Sequence, residues 1–175
     1  MTAGRKNSFT NTDWNTPQKY VDAVNEVFGG KICLDPCSNM WSIVNAEKEY
    51  IFPEYDGLKE SWVFQNVFVN PPYGRNKDEK TSIYDWIKKC YETYDKYEND
   101  ILLLIPVATN TKHWKNYIWG KASSICFLYD TRLRFLQNGK DDGKGAPMAC
   151  SMIYYGNNIE KFVEVFSRFG WVITL

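Results

Sequence analysis

Three stretches with apolar residues at helical spacing alternate with short, continuous apolar runs, and this alternation restricts the fold more than any other feature of the chain. The first stretch opens at Thr16-Pro17, carries Tyr20, Val21, Val24, Val27 and Phe28 along one side and closes at Gly29-Gly30. A capping residue, a proline at the first helical position and a glycine stop predict an amphipathic helix. Ile83, Tyr84, Trp86, Ile87, Cys90, Tyr91 and Tyr94 mark a second helix, with Thr81 or Ser82 available to cap it. Ile159, Phe162, Val163 and Phe166 mark a third over residues 158–169, and residues 111–119 predict a short further helix. Between them, residues 31–34, 67–69, 101–105, 124–129, 150–155 and 171–174 read as strands. The run at 101–105 is apolar throughout, as expected of a strand buried on both faces. Residues 41–62 lack clean periodicity and read as loop with short strands, and the glycines and charges of 137–145 predict a mobile loop.

Alternating strands and helices predict an α/β protein: a mostly parallel central sheet with helices on both faces, right-handed crossovers, and ligands at the carboxyl ends of the strands. At 175 residues there is room for one sizeable core. We expect residues 1–13 to be a flexible polar lead and residues 14–175 a single domain, with no separate recognition domain. The absence of any apolar run near the length of a spanning helix argues against a membrane protein, and the polar start lacks a secretory h-region, so a cytoplasmic location is expected. Five cysteines, of which only Cys33 and Cys37 are close, and a single distant histidine, His113, do not form metal-ligand clusters. Lys plus Arg equals Asp plus Glu at 21 each, so any polyanion must be met by one local basic patch.

The chemistry is carried by Val69-Asn70-Pro71-Pro72-Tyr73, where two prolines stop a strand. The motif sets a carboxamide oxygen, an unencumbered backbone carbonyl and an aromatic ring side by side. Two acceptors can take both hydrogens of a planar amino group, turning its delocalised lone pair towards an electrophile. Tyr73 offers a face on which a base swung out of a duplex can stack.

This motif resembles the Asp/Asn-Pro-Pro-Tyr signature of S-adenosylmethionine-dependent amino-methyltransferases. With Asp13-Trp14-Asn15-Thr16-Pro17, Leu34-Asp35-Pro36-Cys37-Ser38-Asn39, Asp56-Gly57-Leu58, Ala146-Pro147 and Ser151, the chain is similar, from Trp14 to about Gly156, to phage-type DNA adenine methyltransferases. The resemblance implies a Rossmann-like class I methyltransferase fold, S-adenosylmethionine as cofactor, DNA as partner, and a phage or prophage origin. It implies catalytic roles for Asn70, Pro71, Pro72 and Tyr73, and a cofactor pocket lined by Trp14, Thr16, Pro17, Asp35, Pro36, Ser38 and Asp56. Each of these also has a plain structural use, Thr16 and Pro17 as a helix start, Asp35 as a strand end and Asp56-Gly57 as a turn. Cys37-Ser38-Asn39 stands where many methyltransferases carry glycines, a substitution that a phosphate-free cofactor tolerates. Glu47, Glu49 and Glu54 are the candidates for holding the cofactor ribose.

For DNA, Arg75, Arg132, Arg134 and Lys144 are the basic residues expected to reach phosphates, ahead of Lys77, Lys112, Lys115 and Lys140. Such an enzyme is expected to act as a monomer or at most a weak dimer, without a metal. The competing readings are methyl transfer to RNA or to a protein glutamine, and a catalytically silent module that binds DNA or cofactor.

Overall fold

The computed structural model describes residues 14–130, 132–141 and 143–175, so the expected lead at 1–13 lies outside the described residues. Its elements in chain order are β1 (Trp14–Asn15), α1 (Gln18–Val27), β2 (Leu34–Ser38), β3 (Lys48–Ile51), β4 (Asn66–Val69), α2 (Ile83–Tyr97), β5 (Asp100–Pro106), a π-helical turn at Trp114–Ile118, β6 (Ser124–Leu128), β7 (Leu136–Gln137), β8 (Lys140–Asp141), β9 (Cys150–Tyr155), α3 (Ile159–Phe166) and β10 (Gly170–Thr174).

Seven strands form the main sheet in the order β10-β6-β9-β5-β4-β2-β3. The expected two-sided burial is visible in the side-chain alternation. Along β5, Leu102 and Leu104 face a core shared with α1 and α3, whereas Ile101, Leu103 and Ile105 face a second core shared with α2 and the π-helical turn. In β4, Phe68 joins the first core and Val67 and Val69 the second. Helices therefore cover both faces.

The sheet is mixed rather than mostly parallel. β3, β2, β4 and β5 run parallel to one another, but β9 is antiparallel to both β5 and β6, and β10 is antiparallel to β6. Parallel neighbours need a crossover, usually a helix. β6 and β9 are joined instead by a segment whose only regular elements among the described residues are the short strands β7 and β8, and β9 returns beside β6 in the opposite sense. An apolar run records burial and carries no sign of direction, which is why the sequence pattern could not show this.

Local chemistry sets the element ends. Ser82 caps α2 in a reciprocal box with Asp85, the Ser82 N–H donating to the Asp85 carboxylate at 2.8 Å, and the Asn158 side chain accepts the Lys161 N–H at the start of α3. Three expectations shift. Pro17, not Thr16, is the N-cap of α1, and the Thr16 hydroxyl caps nothing. β2 begins at Leu34 and continues through Asp35 and Pro36 to Ser38, so Asp35 does not end the strand. The first part of the tract expected as a mobile loop, residues 137–141, belongs to the hairpin β7–β8, whose two-residue turn has positive φ at Asn138 and Gly139. β7 also pairs with β1, making a small three-stranded sheet.

A crevice at the carboxyl ends of the parallel strands

β2 and β4 are parallel neighbours, so the C-terminal part of β2 with Asn39, and the segment Asn70–Tyr73 that follows β4, open at the same edge of the sheet. β1 lies across that edge and is tied to both. The Asn70 Nδ2 donates to the Trp14 carbonyl at 3.0 Å, and the Asn15 Nδ2 donates to the Asn39 Oδ1 at 3.0 Å. With its amino group spent on Trp14, the Asn70 carboxamide has a fixed orientation in which Oδ1 is the acceptor. The Asn70 backbone N–H faces the Cys37 sulfur and partly offsets the upward push of burial on that thiol.

Tyr73 is held from several sides. Its hydroxyl donates to the Leu104 carbonyl at 3.1 Å, and its ring meets Trp14 and Phe135 edge to face, at centroid distances of 6.3 and 5.7 Å. Trp14 in turn stacks on Phe135 at 5.1 Å. Burial pushes the Tyr73 hydroxyl well above its ordinary range, so it stays a neutral donor.

Asp35 is 5% exposed. Burial, reinforced by Glu49 and partly opposed by the Cys37 N–H at 3.0 Å, pushes its carboxyl from 3.8 up to about 7. Among the described residues no cation pairs with it. Asn15 Oδ1 and Thr16 Oγ1 of this region are buried without a hydrogen-bond partner, and the buried Ser38 Oγ has none beyond the Asp35 carboxyl. Buried polar groups are normally satisfied. Several in one crevice, next to an uncompensated carboxyl, suit a small polar ligand carrying positive charge.

Pro36 and Asp56-Gly57 meet directly, since a Cβ on Gly57 would sit 1.9 Å from the Pro36 carbonyl oxygen. The Asp56 carboxylate is already engaged, accepting the Leu58 N–H at 3.0 Å and pairing with Lys59 at 3.0 Å. Lys59 also pairs with Glu79, which ties this turn to the loop after Tyr73. Of the three glutamates, Glu49 is the register partner of Asp35, Glu47 is held low by its partner Lys31, and Glu54 is exposed.

Arg132, Arg134 and Lys144 line one open groove with Gly143 and Gly145. Gly145 permits this, because a Cβ there would lie 2.3 Å from that of Arg132. Arg134 reaches Asp141 across the hairpin at 3.8 Å. Arg75 is exposed in the separate loop after Tyr73, closed by the Asn76–Thr81 bridge, and does not line that groove. Among the described residues no group of three His, Cys, Asp or Glu side chains can hold a metal, and no helix is long and apolar enough to cross a membrane.

Asn15 and Asn39 stand inside motifs quoted from the sequence but were given no role of their own, although each adjoins a residue assigned to the pocket. Phe135 had no signal, because its role comes from contacts with residues far away in the chain.

A family model described as DNA N-6-adenine-methyltransferase (Dam) matches residues 5–169. No curated protein and no solved structure matches the chain.

Proposed function

The chain belongs to the DNA N-6-adenine-methyltransferase (Dam) family, and on that premise we propose that it methylates the exocyclic amine of a flipped adenine in DNA with S-adenosylmethionine, at the crevice where β1 crosses the ends of β2 and β4. The observation that carries this reading is the fixed Asn70 amide, whose Nδ2 is bound to the Trp14 carbonyl, which leaves Oδ1 as the group to accept from a substrate amine.

S-adenosylmethionine, when bound, supplies a methyl group activated by a sulfonium. The buried Asn15 Oδ1, Thr16 Oγ1 and Ser38 Oγ and the Asp35 carboxyl, which has no cation beside it among the described residues, suit its polar, cationic methionine end. Trp14, Pro17 and Pro36 shape the walls. Asp56 contributes through the turn that Gly57 presses onto Pro36, and of the three glutamates Glu49, the register partner of Asp35, is the one we assign to the ribose hydroxyls.

Asn70 Oδ1 and the Pro71 carbonyl accept the two hydrogens of the adenine amine, and the rigid Pro71-Pro72 turn keeps these acceptors in place without competing N–H donors. Tyr73, locked by Leu104 and Phe135, presents its ring to the base. The amine lone pair forms the new N–C bond as the S–C bond breaks, and the surplus proton passes to solvent. Arg132, Arg134 and Lys144 take phosphates along their groove, and Arg75 contributes from the loop after Tyr73. The sheet then reads as a Rossmann-like methyltransferase sheet whose parallel half carries the chemistry, and the family resemblance suggests a phage-encoded enzyme acting in the host cytoplasm.

The test is mass spectrometry of nucleosides from DNA of a methylation-deficient host expressing wild-type protein or Tyr73→Ala. N6-methyladenine in the wild-type sample alone is expected. Its absence from both, with methyl label found in RNA or protein instead, would overturn the DNA reading.

A further inference from the structure

Residues 39–42 form a tight turn after β2, closed by the Ser42 N–H donating to the Asn39 carbonyl at 2.9 Å. The two outermost positions of such a turn ordinarily carry Gly, Pro, Asn, Asp or Ser. Here they carry Met40 and Trp41, which are 79% and 47% exposed. Single exposed apolar residues need no explanation, but two large ones at a turn tip contradict local propensity.

Their position gives the reason. The Asn39 Oδ1 accepts the Trp41 N–H at 2.9 Å and the Asn15 Nδ2 at 3.0 Å. Asn15 follows Trp14, whose carbonyl holds the Asn70 amide. A short chain of hydrogen bonds therefore pins the Met40-Trp41 tip to the proposed catalytic amide. From the other side the β7–β8 turn lies close by: a Cβ added at Gly139 would come within 3.6 Å of the Trp41 carbonyl oxygen and 3.8 Å of its Cβ. That hairpin carries Lys140 and is flanked by the groove of Arg132, Arg134 and Lys144. The tip is thus apolar and stiff, and beside its hairpin neighbour, in which Lys140 is balanced by Asp141, lies the groove lined by Arg132, Arg134 and Lys144. This combination fits a polyanion with stackable bases better than an apolar protein surface or a second copy of a chain with no net charge.

We propose that Met40 and Trp41 are the wedge that enters the DNA stack where the target adenine leaves it. This rests on the adenine-methyltransferase reading and adds the element that opens the duplex. A base swung out leaves a gap and an orphaned partner base, and apolar side chains inserted at such steps hold the opened form.

The experiment uses a duplex carrying the sequence found methylated in expressing cells, in two forms: the target adenine opposite thymine, and the target adenine opposite an abasic position, where no pair has to be broken. For Met40→Ala/Trp41→Ala we expect kcat/KM on the paired duplex to fall about tenfold or more. On the abasic duplex it should stay within about twofold of wild type, with unchanged S-adenosylmethionine affinity by calorimetry. Trp41→Phe should recover much of the loss. An equal loss on both duplexes, a loss of cofactor affinity, or no loss on either would overturn the wedge while leaving the methyltransferase reading intact. Wild-type protein that leaves all DNA unmethylated would overturn the parent reading and the wedge with it.

Discussion

Asp35→Asn isolates the electrostatics of the crevice. In the wild type, burial raises the carboxyl from 3.8 to about 7, Glu49 adds to the rise, and the Cys37 N–H opposes it. At about 1.4 kcal/mol per pH unit, that shift bounds the cost of ionising Asp35 in the folded protein at about 4 kcal/mol. The sign follows from proton counts. Between roughly pH 4 and pH 7 the unfolded chain has released this proton and the folded chain still holds it, so wild-type stability falls as pH rises through the window and the loss is complete above it. Asparagine cannot ionise, yet its Oδ1 can still accept the Cys37 N–H. The stability of Asp35→Asn relative to wild type should therefore improve between about pH 4.5 and about pH 8, by an amount approaching but not exceeding about 4 kcal/mol. Asp100, also raised by burial, is common to both proteins and drops out of the difference. Urea unfolding followed by tryptophan fluorescence at several pH values measures it directly. A stability difference that does not change with pH would refute the account of Asp35 as a buried carboxyl without a counter-ion. The same reasoning makes cofactor binding pH-dependent: a cationic ligand favours the carboxylate, so wild-type affinity should tighten as pH rises towards 8, and the asparagine variant should bind more weakly with a flatter profile.

Asn70→Ala should abolish detectable methyl transfer in a labelled-methyl assay. Because it also removes the bond to the Trp14 carbonyl, worth about 1 kcal/mol, cofactor affinity should weaken by no more than about fivefold in calorimetry. Gly57→Ala drives a Cβ into the Pro36 carbonyl. With backbone on both sides unable to yield cheaply, a loss of about 2–4 kcal/mol in urea unfolding is expected. Arg132→Ala and Arg134→Ala should each weaken binding to duplexes of any sequence and lower the salt dependence of log K by about one, read from titrations at several ionic strengths, with cofactor affinity unchanged.

The strand and helix pattern was legible wherever periodicity was strong. α1, α2, α3, β4, β5 and β9 stand close to where side-chain spacing puts them, because burial on a helix or strand imposes a period of 3.6 or 2 on the sequence. The hairpin at 136–141 was not legible, since two-residue strands carry too few side chains to show a period, and its Asn138-Gly139 turn sits in a charged tract that reads as loop. Thr16 looked like a helix cap because its neighbours permit one, yet its hydroxyl remains buried and unpartnered beside the crevice. Arg75 lay as near to the motif in sequence as any basic residue, but its loop folds apart from the groove that gathers Arg132, Arg134 and Lys144.

Composition and local pattern were sufficient to determine that this chain builds a two-faced α/β core and ends a buried strand in Asn70-Pro71-Pro72-Tyr73, because helix period, apolar runs and proline stops act over a few residues. Only the tertiary structure decided that half of the main sheet's pairings are antiparallel, that β1 ties Asn70 to Asn39, and that Met40 and Trp41 stand exposed on a turn tied to β1. Those features depend on contacts between segments far apart in the chain, which no local preference encodes and which close only when both cores pack at once.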